Sequence, residues 1–537
     1  MKTDRAIILG AVSALALMGC AGAEYNTHAA EDRGDASYAD TGGWSGTSTD
    51  ADEGAWEGDD TVDLGSETEN DFLRLRPATT DKYLFVANPA RNTVTRISVP
   101  SLDVVTVDVG VDPAAVITTD DFSRAVTFNK GSDDVTIIDA TIPEVEQTVQ
   151  VLKNLNQLVV SPDGNWAIAY HDADADEEGD SSGTVSFNEI SIVELNSGAH
   201  FPMVVGRNPH QIKFTDDSGV ALVVSDDRLA LIDLYTGTPT RSIVEISDDL
   251  LNPPRAEEVE VTPNGDYAFI RQYDTDEIVL VDLMSEMVYG LPVANNPTDL
   301  DLTPDGNHAV IVDRGSQQLF IYPTHEPELS VAEVIDLPES ELLGSIQFSP
   351  DNTQAILYTT VSDISHYTTW DMTEPDPEYA MTVRPLVKPI ESLAVTPTGD
   401  SLMVIHSDSS SADSDPAFDG EHALTLIDLH DFLDNPMILP GEPTAFANSL
   451  SGEVGYVIME GIPQLTLLAY DALMHLDVEL KSNPVHVGIL PDTNYAFVNQ
   501  EHDLGRLTFY DPVDPLNVTD DVLQTITGFE LNSAIEH

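Results

Sequence analysis

Four sets of side chains in this 537-residue chain have types and spacings that could do chemistry. The first is Asp172, Asp174 and Asp176 in "HDADADEEGDSSGTVSFNE" (171–189). Alternate carboxylates converge on calcium when a loop curls around the ion, since this hard cation takes a cage of oxygens. An EF-hand loop needs Gly at its sixth position and Glu at its twelfth, where this chain has Glu177 and Gly183. The full motif is therefore absent, and an irregular calcium loop and a solvated acidic loop both fit. The second set is His171, His366, His406 and His502, each beside an acid or a hydroxyl residue. Convergence would suit zinc or a general base, but the four lie far apart in the sequence and no shared metal site is expected. The third is Glu258, Glu260, Asp299 and Asp301, alternating with Val and Leu. Polar side chains on an otherwise buried strand need water or an ion beside them, so these four are expected to line a hydrated acidic channel. The fourth is Cys20, the only cysteine.

The elements that position these residues repeat. The core reads PATTDKYLFV (77), TDDFSRAVTF (119), SPDGNWAIAY (161), TDDSGVALVV (215), TPNGDYAFIR (262), TPDGNHAVIV (303), SPDNTQAILY (349), TPTGDSLMVI (396), SLSGEVGYVI (449) and LPDTNYAFVN (490). Within 257–293, the runs "EEVEVT", "YAFIR", "EIVLVDL" and "MVYGLPV" are separated by the turn sequences "PNGD" and "YDTDE". Four short strands in roughly 42 residues, with no helical period, match a propeller blade. Proline presets φ in the P-D-G turn and glycine accepts φ > 0, which closes the first hairpin. The fold class expected is all-β: a β-propeller of about ten four-stranded repeats over 72–537. One ring of ten blades, two rings of five, or a smaller ring with appended blades all fit the count. The unbroken series between the fifth and sixth copies favours one ring.

The run "VANNPTDLDLTPDGNHAVIVDRGSQQLFIY" (293–322) resembles the YVTN-type repeat of surface-layer-like propellers. "VGVDPAAVITTDD", "VGRNPHQIKFTDD" and "LKSNPVHVGILPD" resemble its first half, and "VTIIDA", "LALIDL" and "IVLVDL" its second. The resemblance implies the fold over about 77–510 and is silent on activity. Copies one, two and nine depart from the P-D-G turn.

At the front, Lys2 and Arg5 precede an apolar run from Ala6 to Met18 and then Gly19 and Cys20, the layout of an export signal. The run is too short to span a bilayer. L-M-G-C resembles the bacterial lipobox, although Met18 replaces the small residue usual there. The resemblance implies a signal peptide over 1–19 and a lipidated Cys20, whose two or three acyl chains would form a lasting membrane anchor. Residues 20–71 are rich in acids and poor in Leu, Ile and Val. They read as a disordered acidic linker with ends roughly 40 Å apart.

The net charge of −72 repels nucleic acid and anionic surfaces, which makes nucleic acid an unlikely class of partner. Acids spread along the whole chain, with very few lysines, also fit adaptation to a saline medium. A c-type haem is excluded by the absence of C-x-x-C-H. The repeats hold only Trp166 and Trp370, against the Trp in most blades that quinone-dependent propellers of the tryptophan-docking kind need. The function expected is a non-catalytic binding or interaction scaffold, lipid-anchored in the cell envelope at the outer membrane or cell surface. It would bind a protein or extracellular ligand through the rim that carries the long insertions (171–189 and 406–422), with no cofactor required and calcium the one optional ion. The alternative is a lactonase-like hydrolase with an acidic site at the channel mouth. Mass spectrometry of the mature N-terminus is expected to find a diacylated or triacylated Cys20 as residue 1; an unmodified Cys20, or cleavage elsewhere, would refute the anchor.

Overall fold

Each repeat begins with a hairpin locked by groups only a few residues apart. Ser161 donates its hydroxyl to Asp163 at 2.6 Å and accepts the Trp166 N–H at 2.9 Å. Thr303 does the same with Asp305 at 2.7 Å and His308 at 3.1 Å. The fourth residue of this turn takes a left-handed conformation, with φ of 67° at Gly164 and 68° at Gly306. Where the second and fourth repeats lack that glycine, Phe122 and Ser218 hold the same conformation at φ 57°, which a Cβ disfavours. The hairpin therefore closes even where the P-D-G signature is missing.

In the computed structural model the described residues are 78–529, apart from 174–187, 227, 248–253, 274, 296, 339–341, 362–363, 375, 411–413, 492, 494 and 512–522. Cys20, Asp174 and Asp176 lie outside them. The chain folds into ten antiparallel sheets, each of four consecutive strands. In order these blades span 78–108, 113–150, 157–204, 209–244, 256–292, 297–336, 345–385, 390–438, 443–479 and 484–527. First strands of neighbouring blades lie side by side, so the first strand is innermost and the fourth is outermost. No helix among the described residues is long and apolar enough to cross a membrane.

A four-stranded sheet has two faces to bury, and each blade buries one on either neighbour. Ten apolar clusters result, and each joins two successive blades. Phe269 and Leu280 of blade 5 pack with Leu300 and Phe320 of blade 6. Leu84 and Ile97 of blade 1 pack with Phe497, Leu507, Phe509 and Ile526 of blade 10. That last cluster closes the circle: this is a single ring of ten blades, since two rings of five would have to join blade 5 to blade 1. Among the described residues, no sheet mixes strands from the two ends of the chain. Closure therefore rests on side-chain packing across the seam.

Phe509 is fully buried in this seam. Phe509→Ala is expected to cost about 3–5 kcal/mol, as core aromatic truncations do. Hydrogen exchange should accelerate first in blades 1 and 10, while Phe269→Ala should leave that seam protected. Uniform acceleration around the ring in Phe509→Ala would count against a closure held by packing alone.

Candidate functional site

The first strand of blade 8, Ile390–Val395, carries a β-bulge: Ile390 pairs with His406 and Ser392 with Ile405, leaving Glu391 between them. A bulge re-aims the side chain of the residue it adds. Here it presents Glu391 at the end of the innermost strand, where the channel opens. The second strand, Ser401–His406, and the third, Ala423–Asp428, are joined on that same side by the insertion 407–422. The insertion is tied inward. Asp415 N–H donates to Val387 O at 2.9 Å, and the hydroxyls of Ser414 and Ser365 of blade 7 are 3.0 Å apart.

Beneath it, Lys388 is fully buried and its ammonium donates to Glu421 O at 2.6 Å. His406 faces Lys388 O through Nδ1 at 3.0 Å and Thr425 Oγ1 through Nε2 at 2.7 Å. Burial pushes its pKa down to about 4, so the ring is neutral at ordinary pH. Two carbonyls flank Nδ1, so Nδ1 carries the proton and Nε2 accepts from the Thr425 hydroxyl. His406 is thus a structural pin.

At the surface, His422 Nδ1 lies 2.9 Å from Asp408 Oδ1. Glu391 is half-buried, and its pKa is raised by burial first, then by the negative charges of Glu442 and Asp408; His422 and Lys388 act against these. Glu442 immediately precedes Pro443–Asn448, the first strand of blade 9. Five titratable groups, three from blade 8 and one from each of the links that flank it, therefore interact at one mouth. Glu391 has no hydrogen-bond or ion-pair partner among the described residues, in contrast to the same bulge in blade 5. There Glu257 meets Arg271 Nη1 at 2.6 Å. The place of Arg271 in the register is taken in blade 8 by Ile405.

The residues singled out from the sequence are dispersed. Glu258 accepts Arg271 Nε at 3.0 Å, and Glu260 lies 3.6 Å from Lys213 Nζ. Asp299 is buried and accepts the backbone N–H of Ile346 in blade 7 at 2.6 Å, tying two blades together. Asp301 is half-buried on the first strand of blade 6, Pro297–Leu302. Asp172 is buried, its backbone N–H bonded to Asn156 Oδ1 at 2.8 Å. His171, His366, His406 and His502 belong to blades 3, 7, 8 and 10. Among the described residues no three His, Cys, Asp or Glu side chains converge as a metal ion would require. The alternation of the first strand does not mark Glu391, because the bulge shifts the exposed position by one residue.

No family model matches the chain, and no curated protein matches it. Among solved structures it is similar to Kuenenia stuttgartiensis hydrazine synthase, at 16% identity over 55% of this chain and 95% of that one, with a TM-score of 0.31. It is similar to a dihydro-haem d1 dehydrogenase solved with its ligand, at 14% identity over 76% of this chain and 74% of that one, TM-score 0.43. It is also similar to a eukaryotic initiation factor, at 9% identity over 75% of this chain and 96% of that one, TM-score 0.49. The blade count rests on the geometry of the chain itself.

A carboxyl whose folded pKa is raised destabilises the fold while it is ionised, and lowering the pH through the folded value removes that cost. Glu391→Gln is therefore expected to raise Tm at pH 7 by about 1–3 °C. The gain should fade as the pH falls through the ordinary carboxylate range, where the parent side chain itself takes up a proton. Thermal melts across pH check this, and a loss of stability at pH 7 would contradict it.

Proposed function

We propose that the chain is a lipid-anchored binding propeller of the cell envelope, held through Cys20, which engages a cationic group of a protein or extracellular ligand at the mouth of blades 8 and 9. The observation that carries this reading is Glu391: a half-buried carboxyl beside Glu442 and Asp408, lacking the internal arginine that blade 5 supplies to Glu257. A ligand ammonium or guanidinium placed there would supply the missing counter-charge, so binding and relief of the repulsion are one event. Asp408 and His422 form the wall of such a site. The export signal and lipobox resemblance support the location, and the acidic surface disfavours nucleic acid.

The expected outcome is that pull-down from envelope extracts recovers a basic partner with the parent chain. Glu391→Gln should lower that recovery about tenfold while the chain stays folded, the scale of a charge-assisted hydrogen bond. Equal recovery by the variant would remove this mouth from the reading.

A hydrolase is the second reading, and the Asp408–His422 contact of 2.9 Å favours it. A carboxylate that holds Nδ1–H leaves Nε2 to accept a proton from water, as a general base must. His422→Ala would then abolish turnover of some lactone or ester. Silence of the parent chain across a broad panel of such substrates would sink that reading and leave the binding one standing.

A further inference from the structure

The opposite face of the ring, formed by the first-to-second and third-to-fourth turns, holds an open pocket of about 460 Å³ between blades 3 and 4. Its walls include Asp163, Trp166 and Glu194 of blade 3, and Asp217, Gly219 and Tyr235 of blade 4. Two features set blade 4 apart from its neighbours. At the turn position where other repeats carry Asn165, Asp266, Asn307 or Asp400, it has Gly219. At the third-to-fourth turn, where Asn196, Met284 and His430 stand elsewhere, it has Tyr235. The two belong together, since a Cβ at position 219 would collide with the Tyr235 ring. One side of the ring rests on the bare glycine, and the hydroxyl donates to Asp217 Oδ2 at 2.6 Å. Even so, the residue is 67% exposed. The result is a pre-oriented aromatic platform facing solvent.

Around the platform the fixed charge is negative. Asp217 Oδ1 accepts the Gly219 N–H at 2.9 Å, Asp163 accepts the Asn165 N–H at 3.0 Å, and Glu194 accepts the Ser197 N–H at 2.7 Å. Each carboxylate keeps lone pairs for a further donor. Among the described residues no lysine or arginine lines the pocket; the nearby Arg124 is engaged outside it, by Glu146 of blade 2 at 2.9 Å and by Asn196 Oδ1 of blade 3 at 3.1 Å. A planar cation with several donors fits both parts. Its face stacks on an aromatic ring while its N–H groups reach carboxylates, which describes a guanidinium better than a compact ammonium.

We propose that the Tyr235 pocket is a binding site for an arginine side chain of a basic peptide, distinct from the mouth at blades 8 and 9. The probe is N-acetyl-Arg-Arg-amide, titrated by calorimetry at low ionic strength into the parent chain and into Glu391→Gln. Pocket binding should be present in both, so a failure of the Glu391 reading leaves this one untouched. Tyr235→Ala should weaken the binding about tenfold or more, and Tyr235→Phe, which keeps the ring, by about threefold at most. Gly219→Asn, which installs the residue of blades 3 and 6, should match Tyr235→Ala by displacing the platform. The same peptide with citrulline in place of arginine should bind at least tenfold more weakly, since citrulline keeps the shape and loses the charge. Absence of binding to the parent, equal binding by a folded Tyr235→Ala chain, or equal binding of the citrulline peptide would each overturn the proposal. The last result would mark the pocket as a platform for neutral ligands.

Discussion

The contact on which everything else depends is the face-to-face packing of one blade on the next. A four-stranded sheet that buries only one face would expose the other, and only a closed circle leaves no blade with an uncovered face. Ten repeats achieve this with ten interfaces, the last supplied by Leu84, Ile97, Phe497, Leu507 and Phe509. Each sheet uses consecutive strands only, so no hydrogen-bonded strand bolts the ends together among the described residues. The seam is held by the same apolar packing as every other interface.

Closure also determines what the inner strands can present. Apart from the bulge, their side chains alternate between two neighbouring blades, and many polar ones are matched at once. Glu258 meets Arg271, Glu260 approaches Lys213, and Asp299 takes the Ile346 N–H. The recurring bulge at the second residue of the strand escapes that alternation. Blade 4 places His210 there, blade 5 Glu257, blade 6 Thr298 and blade 8 Glu391. His210 Nε2 reaches Ala256 O at 3.0 Å in the next blade, and Glu257 is neutralised by Arg271. Glu391 is the acid in this series without such a partner. One architectural device thus serves as an interblade tie in some blades and as a presented charge in another.

The two ends of the blades divide the chemistry. The connection between the second and third strands of blade 8 opens on the face where the chain passes from blade to blade, and its Asp408 and His422 lie beside Glu391. The opposite face is built from tight turns whose Ser, Thr and Asp side chains are engaged in closing the hairpin. The pocket between blades 3 and 4 forms where a turn departs from the pattern, as Gly219 does beneath Tyr235. Irregularity within a regular repeat is therefore the more informative signal on that face.

The repeated hairpin and strand pattern was legible in the residues alone, because it is made by groups close in sequence. Ser161 with Asp163 and Trp166 is complete within five positions of the first, and the apolar alternation needs only the strand itself. Propensity at single positions was a weaker guide: Phe122 and Ser218 take the left-handed turn conformation that glycine favours, because the hydrogen bonds around them select the turn. Which blades meet, and that they meet in one circle, came only from the folded chain, since every repeat has much the same apolar faces. The same holds for the mouth, where Glu391, Asp408 and His422 of blade 8 come together with Glu442 of the link to blade 9. A bulge that shifts exposure by one residue leaves no mark in a linear pattern, and a charge acquires its surroundings only when the neighbouring blade has docked.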